Sequence, residues 1–215
     1  KTRTEACRNV DESISLVAGS FHYRSDIGKE DYSVTKPQMV SKKDFLRAVT
    51  VREAREEDFL DVHAFVSHCA VLENNAEYFY RIMLRYFASV SVIAEYRDDI
   101  IGFGIACVAA HKNRNQKTGF VWQIGTASSV QGMGIASRVL KKIEKNIAAM
   151  RCKRIEVTID PRNTPSKQLF EKKGYHTISN KRMETIRIKG SNAVKDFYGF
   201  GAHFLLYRSE ERRVG

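Results

Sequence analysis

Cysteine, proline and tryptophan are scarce: four, three and one in 215 residues. The cysteines, Cys7, Cys69, Cys107 and Cys152, lie far apart with no C-x-x-C pair, which argues against zinc ligation and against a disulfide scaffold. No metal is therefore expected, and a reducing cytoplasm is the simplest compartment. No window approaches the ~20 unbroken apolar residues needed to cross a bilayer, so a soluble protein without a membrane partner is expected. The opening stretch KTRTEACRNVDESISLVAGS holds only a three-residue apolar run, so no signal-peptide core is visible, and a start at Lys1 reads as a fragment or a processed chain. Nor are the basic residues gathered into one stripe; only KKIEKN and RSEERR are dense.

What is present is an ordinary apolar share of 43% and a formal charge of +11, with a pI near 9.6. The length suits one α/β domain with some additional sequence. Such a charge first suggests nucleic acid. A dispersed basic surface equally suits a small ligand carrying several phosphates, and nucleic acid is the less expected partner.

Residues 1–46 show no sustained period and read as a loosely ordered or peripheral extension; residues 47–208 read as the domain, and 209–215 as a tail. AVTVR alternates like a strand, and REEDFLDVHAFVSHC follows at helical spacing. NNAEYFYRIMLRYFAS predicts a second helix, and SVSVIAEYRDDIIGFGIACVAA a hairpin with a tight Arg-Asp-Asp turn. After the polar HKNRNQKTG, the stretch GFVWQIGTA is a strand that stops just before a pair of glycines. In the helix that follows, Ile135, Val139, Ile143 and Ile147 recur every four residues. RIEVTID alternates Ile155, Val157 and Ile159 against Glu156, Thr158 and Asp160. SKQLFEKKGYHTIS is a helix ended by Gly174 and leading into a strand. FYGFGAHFLLY, 197–207, predicts the last strand.

The segment SSVQGMGIA joins a strand directly to a helix. Gly132 and Gly134 allow close approach to successive backbone N–H groups at a helix N-terminus, where the dipole favours an anion. Two glycines at this spacing also make ordinary turns. The segment is neither a Walker loop, which needs G-K-[ST], nor a dinucleotide fingerprint.

The order of Gly loop, strand, D-P-R-N, helix and K-K-G-Y resembles the GNAT acetyltransferases, whose loop reads [QR]-x-x-G-x-[GA]. Here Ser129 replaces the first residue of that pattern, and Phe170 in LFEKKGY stands where the family often carries a Tyr proposed to protonate the leaving thiolate. Both departures resemble one branch, the L-2,4-diaminobutyrate acetyltransferases of ectoine biosynthesis. LENNAEYFYRIMLRYF, FVWQIGT and IEVTIDPRN are similar to that branch's runs between Leu72 and about Arg208.

The resemblance implies a mixed, twisted, mostly antiparallel sheet flanked by helices, of α+β class. It implies acetyl-CoA as cosubstrate, held by Ile124, Gly125, Thr126, Gln131, Gly132, Met133, Gly134, Ile135, Ala136, Asn163, Ser166 and Phe170. The strands FVWQIGT and RIEVTID would splay around the pantetheine arm, with a backbone N–H near Ile124 or Gly125 polarising the carbonyl. It further implies that Glu73, Asn75, Trp122 and Glu156 contact a diamino acid, with Glu156 and Glu73 as catalytic carboxylates. Transfer to N4 of diaminobutyrate would then be direct, without an acetyl-enzyme, in a possible homodimer.

Alternation alone does not separate a surface Glu156 from a site Glu156. Glu73 equally suits the start of a helix, and a lone Trp in a β-branched strand equally suits the core. GFGAHFLLYR lacks the branch's acidic cluster, leaving only His203. Another acceptor (β-lysine, a polyamine, an aminoglycoside) and a non-catalytic acyl-CoA-binding or nucleic-acid-binding module remain the rival expectations.

Overall fold

A computed structural model describes residues 41–69, 72–110, 117–178 and 183–209. Expectations placed on residues 1–40, on 111–116 of the polar loop and on 210–215 lie outside the described residues.

Ser41 opens the first helix, α1 (Lys42–Ala48), its Oγ accepting from the Asp44 amide at 3.2 Å. The strand β1 (Thr50–Glu53) leads through a 3₁₀ turn into α2 (Phe59–Ser67), then α3 (Glu77–Phe87). β2 (Val92–Tyr96) and β3 (Asp99–Ala110) form the expected hairpin. Its two turn residues, Arg97 and Asp98, both take positive φ (52° and 67°), the backbone that matches the twist of paired strands. β4 (Lys117–Thr126), α4 (Ile135–Ala149), β5 (Arg154–Ile159), α5 (Thr164–Lys172) and β6 (Tyr175–Thr177) follow. A small separate hairpin, β7 (Thr185–Ile188) and β8 (Ser191–Val194), precedes β9 (Leu205–Ser209).

Among the described residues, seven strands form one sheet in the order β1-β2-β3-β4-β5-β9-β6. Only β4 and β5 run parallel, so the expected mixed, mostly antiparallel sheet is observed. On one face α4 lays down Ile135, Val139, Ile143 and Ile147, all buried, as their four-residue spacing requires. The helix sits close because β3 offers no side chain at Gly104, where a Cβ would come within 2.5 Å of Ile143 Cδ1. On the other face α2 and α3 bury Val62, Val66, Tyr80, Met83 and Leu84 against Ile93, Phe103 and Ile105. Each such burial contributes about 1.5–3 kcal/mol.

Several boundaries differ from expectation. α1 crosses the limit drawn at residue 46 and is tied to α4: Arg138 donates to the Leu46 and Val49 carbonyls at 2.6 and 3.2 Å. The strand expected over 197–207 is corrected. Phe197–Ala202 close a turn stabilised by Asp196, whose carboxylate accepts from the Gly201 amide at 2.7 Å, and only Leu205–Ser209 are extended. The positive φ of Asp196, Gly199 and Gly201 breaks the strand that the aromatic composition suggested. Ser209, placed in the tail, is instead a buried strand residue whose Oγ accepts from the Ile155 amide at 2.9 Å. Lys117–Gly119, read with the polar loop, begin β4. Nothing in the composition of 183–194 announced β7 and β8.

Candidate active site

Two strand irregularities shape the centre of the sheet. β4 and β5 pair from Thr118↔Arg154 only as far as Val121↔Val157, although both continue, β4 to Thr126 and β5 to Ile159. Beyond that point the two strands form an unpaired fork. On its other edge β4 carries a bulge: Ile105 faces Gln123 and Ala106 faces Val121, so Trp122 is the extra residue. The bulge turns Trp122 outward, 36% exposed, and directs the buried Gln123 amide toward α3.

The loop after β4 leads into α4 at the open end of this fork. Val130, Gln131 and Met133 spend their amides on turns to Ala127, Ser128 and Val130. Gly132 (φ 72°) and Gly134 (φ 94°) are left-handed, and a Cβ at either would meet nothing within 4 Å, so the loop faces open space. The first amides of α4 have no acceptor within the helix and carry its positive dipole end. A cation stands beside them: Lys42 Nζ of α1 donates to the Gly132 carbonyl at 3.3 Å. Backbone donors, a dipole and an ammonium make this a candidate anion site.

Beside the fork, on the α3 face, aromatic rings cluster around Trp122, and the space they border is the candidate acceptor pocket. The Trp122 ring packs tilted on Phe79 (5.2 Å) and Tyr198 (5.6 Å) and edge-on to Phe120 (6.1 Å). Tyr198, held by Phe197 and Phe204, shares a 2.8 Å hydrogen bond with the Thr158 hydroxyl, the first site-facing residue of β5 past the last pair. Burial pushes the Tyr198 phenol up, with smaller contributions from Glu73 and Cys107. The loop bearing Glu73 is fixed by Gln123, whose Nε2 donates to the Glu73 carbonyl at 2.8 Å while its Oε1 accepts from Tyr80 at 3.1 Å. Burial likewise raises Tyr80. Phe120, Glu156 and Arg208 are register partners across β4, β5 and β9, forming one row on this face. The Arg208 Nε and Nη2 both donate to Glu156 Oε1, at 2.9 and 2.6 Å.

The model of the "Acetyltransferase (GNAT) family" matches residues 50–175, more than half of the chain. The chain belongs to the GNAT acetyltransferase family. Among GNAT relatives, the L-2,4-diaminobutyric acid acetyltransferase of Marinococcus halophilus is 35% identical over 54% of this chain and 65% of its own length. That of Methylotuvimicrobium alcaliphilum is 31% identical over 62% of this chain and 76% of its own length. The diaminobutyrate acetyltransferase EctA of Paenibacillus lautus, solved with its substrate and coenzyme A, superposes with a TM-score of 0.61 at 25% identity, covering 78% of this chain and 98% of that one.

Acetyl-CoA, the GNAT cosubstrate, fits the residues present. Gly132, Gly134, Ile135 and Ala136 form the candidate anion cradle at the start of α4, and Ile124, Gly125 and Thr126 line the β4 edge of the fork. Asn163 caps α5, its Oδ1 accepting from the Ser166 amide at 3.0 Å. Phe170 lies elsewhere: it is 2% exposed, packed edge-on to Tyr175 in the core. Glu73, Asn75, Trp122 and Glu156 lie around the aromatic pocket, with Asn75 Nδ2 turned back to the Glu73 carbonyl at 3.4 Å. His203 accepts from the Asp196 amide at 3.1 Å and supports the turn carrying Tyr198.

Sequence reasoning did not single out Phe79, Gln123, Thr158, Tyr198, Arg208 or Lys42. Arg208 was findable, since a basic residue one strand away from a carboxylate on a half-buried face seeks it as a partner. Tyr198 was hidden because its segment read as strand. Among the described residues no group of three or more His, Cys, Asp or Glu could hold a metal, and no helix is long and apolar enough to cross a membrane.

Proposed function

We propose that this GNAT protein is an acetyl-CoA-dependent N-acetyltransferase acting on a primary amine of a small diamino acid, L-2,4-diaminobutyrate, at N4. The observation that carries the reading is the pocket beside the fork, where Glu73 and Glu156 flank an aromatic wall of Trp122, Tyr198, Phe79 and Phe120. Carboxylates and aromatic faces together hold an ammonium. Relatives and a solved structure named for that acceptor support the choice of substrate.

Bound acetyl-CoA would supply a thioester carbonyl within reach of an amine. The chain's residues do the rest. The Gly loop and Lys42 fix the phosphates, and backbone N–H groups on the unpaired β4 edge near Ile124 and Gly125 polarise the carbonyl oxygen. Glu73 and Trp122 orient the amine, and Glu156 receives its proton directly or through water. Cys69, Cys107 and Cys152 are free thiols raised by burial, which suits direct transfer and a reducing cytoplasm.

Thiol release from acetyl-CoA across 2,4-diaminobutyrate, ornithine, lysine, β-lysine and spermidine tests the reading. Preference for diaminobutyrate, abolished in Glu156→Gln, is expected. Preference for another amine removes the substrate assignment; coenzyme binding without turnover of any amine removes the enzyme assignment. The homodimer that the resemblance implies is checked by sedimentation equilibrium.

A further inference from the structure

Glu156 does not enter the pocket as a lone negative charge. Arg208 grips one of its oxygens with two donors, and the pair is partly open to solvent, the side chains being 32% and 21% exposed for Arg208 and Glu156. Both donors converge on Oε1. The second guanidinium arm, Nη1, has no hydrogen-bond partner among the described residues. Arg208 shares its sheet face with Phe120 and Glu156, one step along the strands from Trp122 and Thr158, so the guanidinium borders the same pocket. On its other side, among the described residues, its register partner is the exposed His176 of β6.

We propose that Arg208 is a specificity residue that receives the α-carboxylate of the acceptor, selecting a diamino acid over a diamine. The inference rests on the proposed function and names how that pocket chooses its substrate. Two carboxylates and one guanidinium leave the pocket one net negative charge, which balances two ammonium groups and one carboxylate. A diamine without a carboxylate brings two positive charges to the same pocket and leaves the free Nη1 arm of Arg208 facing a cation. A guanidinium arm left over from a carboxylate contact offers a directed, charge-assisted donor that an ammonium substrate cannot use. Glu156 Oε2, not held by Arg208, stays available to the amine.

The test compares 2,4-diaminobutyrate with 1,3-diaminopropane, which has the same spacing of nitrogens and lacks only the carboxylate. The wild-type protein is expected to favour the amino acid in kcat/KM. Arg208→Gln should reduce that preference by roughly ten- to hundredfold, the worth of one charged hydrogen bond. Arg208→Lys, which keeps the charge but not the fork, should retain an intermediate preference, and thermal melts confirm that each variant folds. If Arg208 acts only by holding Glu156, both substrates lose kcat/KM equally and the ratio stays at the wild-type value, which overturns the inference. Equal turnover of both amines by the wild-type protein overturns it alone; turnover of neither overturns the proposed function and this inference together.

Discussion

Gln123 donates to the Glu73 backbone carbonyl at 2.8 Å, joining the bulge of β4 to the loop before α3. The same amide accepts from Tyr80, which is fully buried, so one side chain sets the height of the acidic loop above the sheet. Replacing Gln123 with Ala leaves the Tyr80 hydroxyl without its acceptor and should cost about 1–3 kcal/mol in urea unfolding. The KM for the amine should rise more than the kcat falls. An unchanged KM would mean that the loop holds its place without this bond.

Gly134 has φ 94° and opens α4. Gly134→Ala should lower stability by about 1–2 kcal/mol, the cost of a left-handed side chain. Gly134→Asp should share that loss and add a separate one, because a carboxylate then stands in the anion cradle. Calorimetric titration with coenzyme A separates them: Asp should weaken binding far more than Ala. Equal binding by the two variants would place the phosphates elsewhere.

Phe170 stands where the GNAT pattern often has a tyrosine, yet its ring is packed inside the core against Tyr175. Phe170→Tyr should therefore bring no proton donor to the fork. It buries a hydroxyl, with an expected cost of about 1–3 kcal/mol and no gain in kcat. A higher kcat with an altered alkaline limb would show that the new hydroxyl reaches the reacting atoms.

Asp160 follows β5, and hydrogen bonds from the Arg162 side chain hold its carboxyl below the usual range of 3.8. A carboxyl whose pKa is depressed in the folded state stabilises above its unfolded pKa and loses that contribution as pH falls through the folded one. Stability should thus drop below about pH 4, and Asp160→Asn should flatten that part of the acid limb. The effect is limited by solvent, because Arg162 is well exposed. Denaturation midpoints at pH 3, 4 and 6 check it.

Much of the scaffold was legible because it is local. The alternation of Ile155, Val157 and Ile159 and the four-residue spacing along α4 depend only on which face meets the core, and both faces are buried as read. The Gly loop was legible for the same reason, since its backbone conformations belong to single residues. The pocket was less so, because its partners are remote in sequence. Arg208 meets Glu156 from the neighbouring strand but from far along the chain, and Gln123 meets Tyr80 through a bulge that no periodicity marks. Tyr198 was hidden by competition between propensity and turn geometry: an aromatic run favours a strand, but Asp196, Gly199 and Gly201 turn the chain first. The docking of α1 depends on carbonyls that Arg138 finds only once the sheet has formed.

The bulge at Trp122 also divides β4 into two reading frames. Side chains from Lys117 to Val121 obey one alternation, and those from Gln123 to Thr126 obey the opposite one, because the ladder to β3 skips a residue between them. Removing Trp122 itself would restore a regular ladder and leave every later partner in place, Gln123 opposite Ile105 and Gly125 opposite Phe103, while taking away the indole on which Phe79 and Tyr198 pack. A one-residue gap at Trp122 in an alignment would thus keep the course of β4 and signal a different pocket.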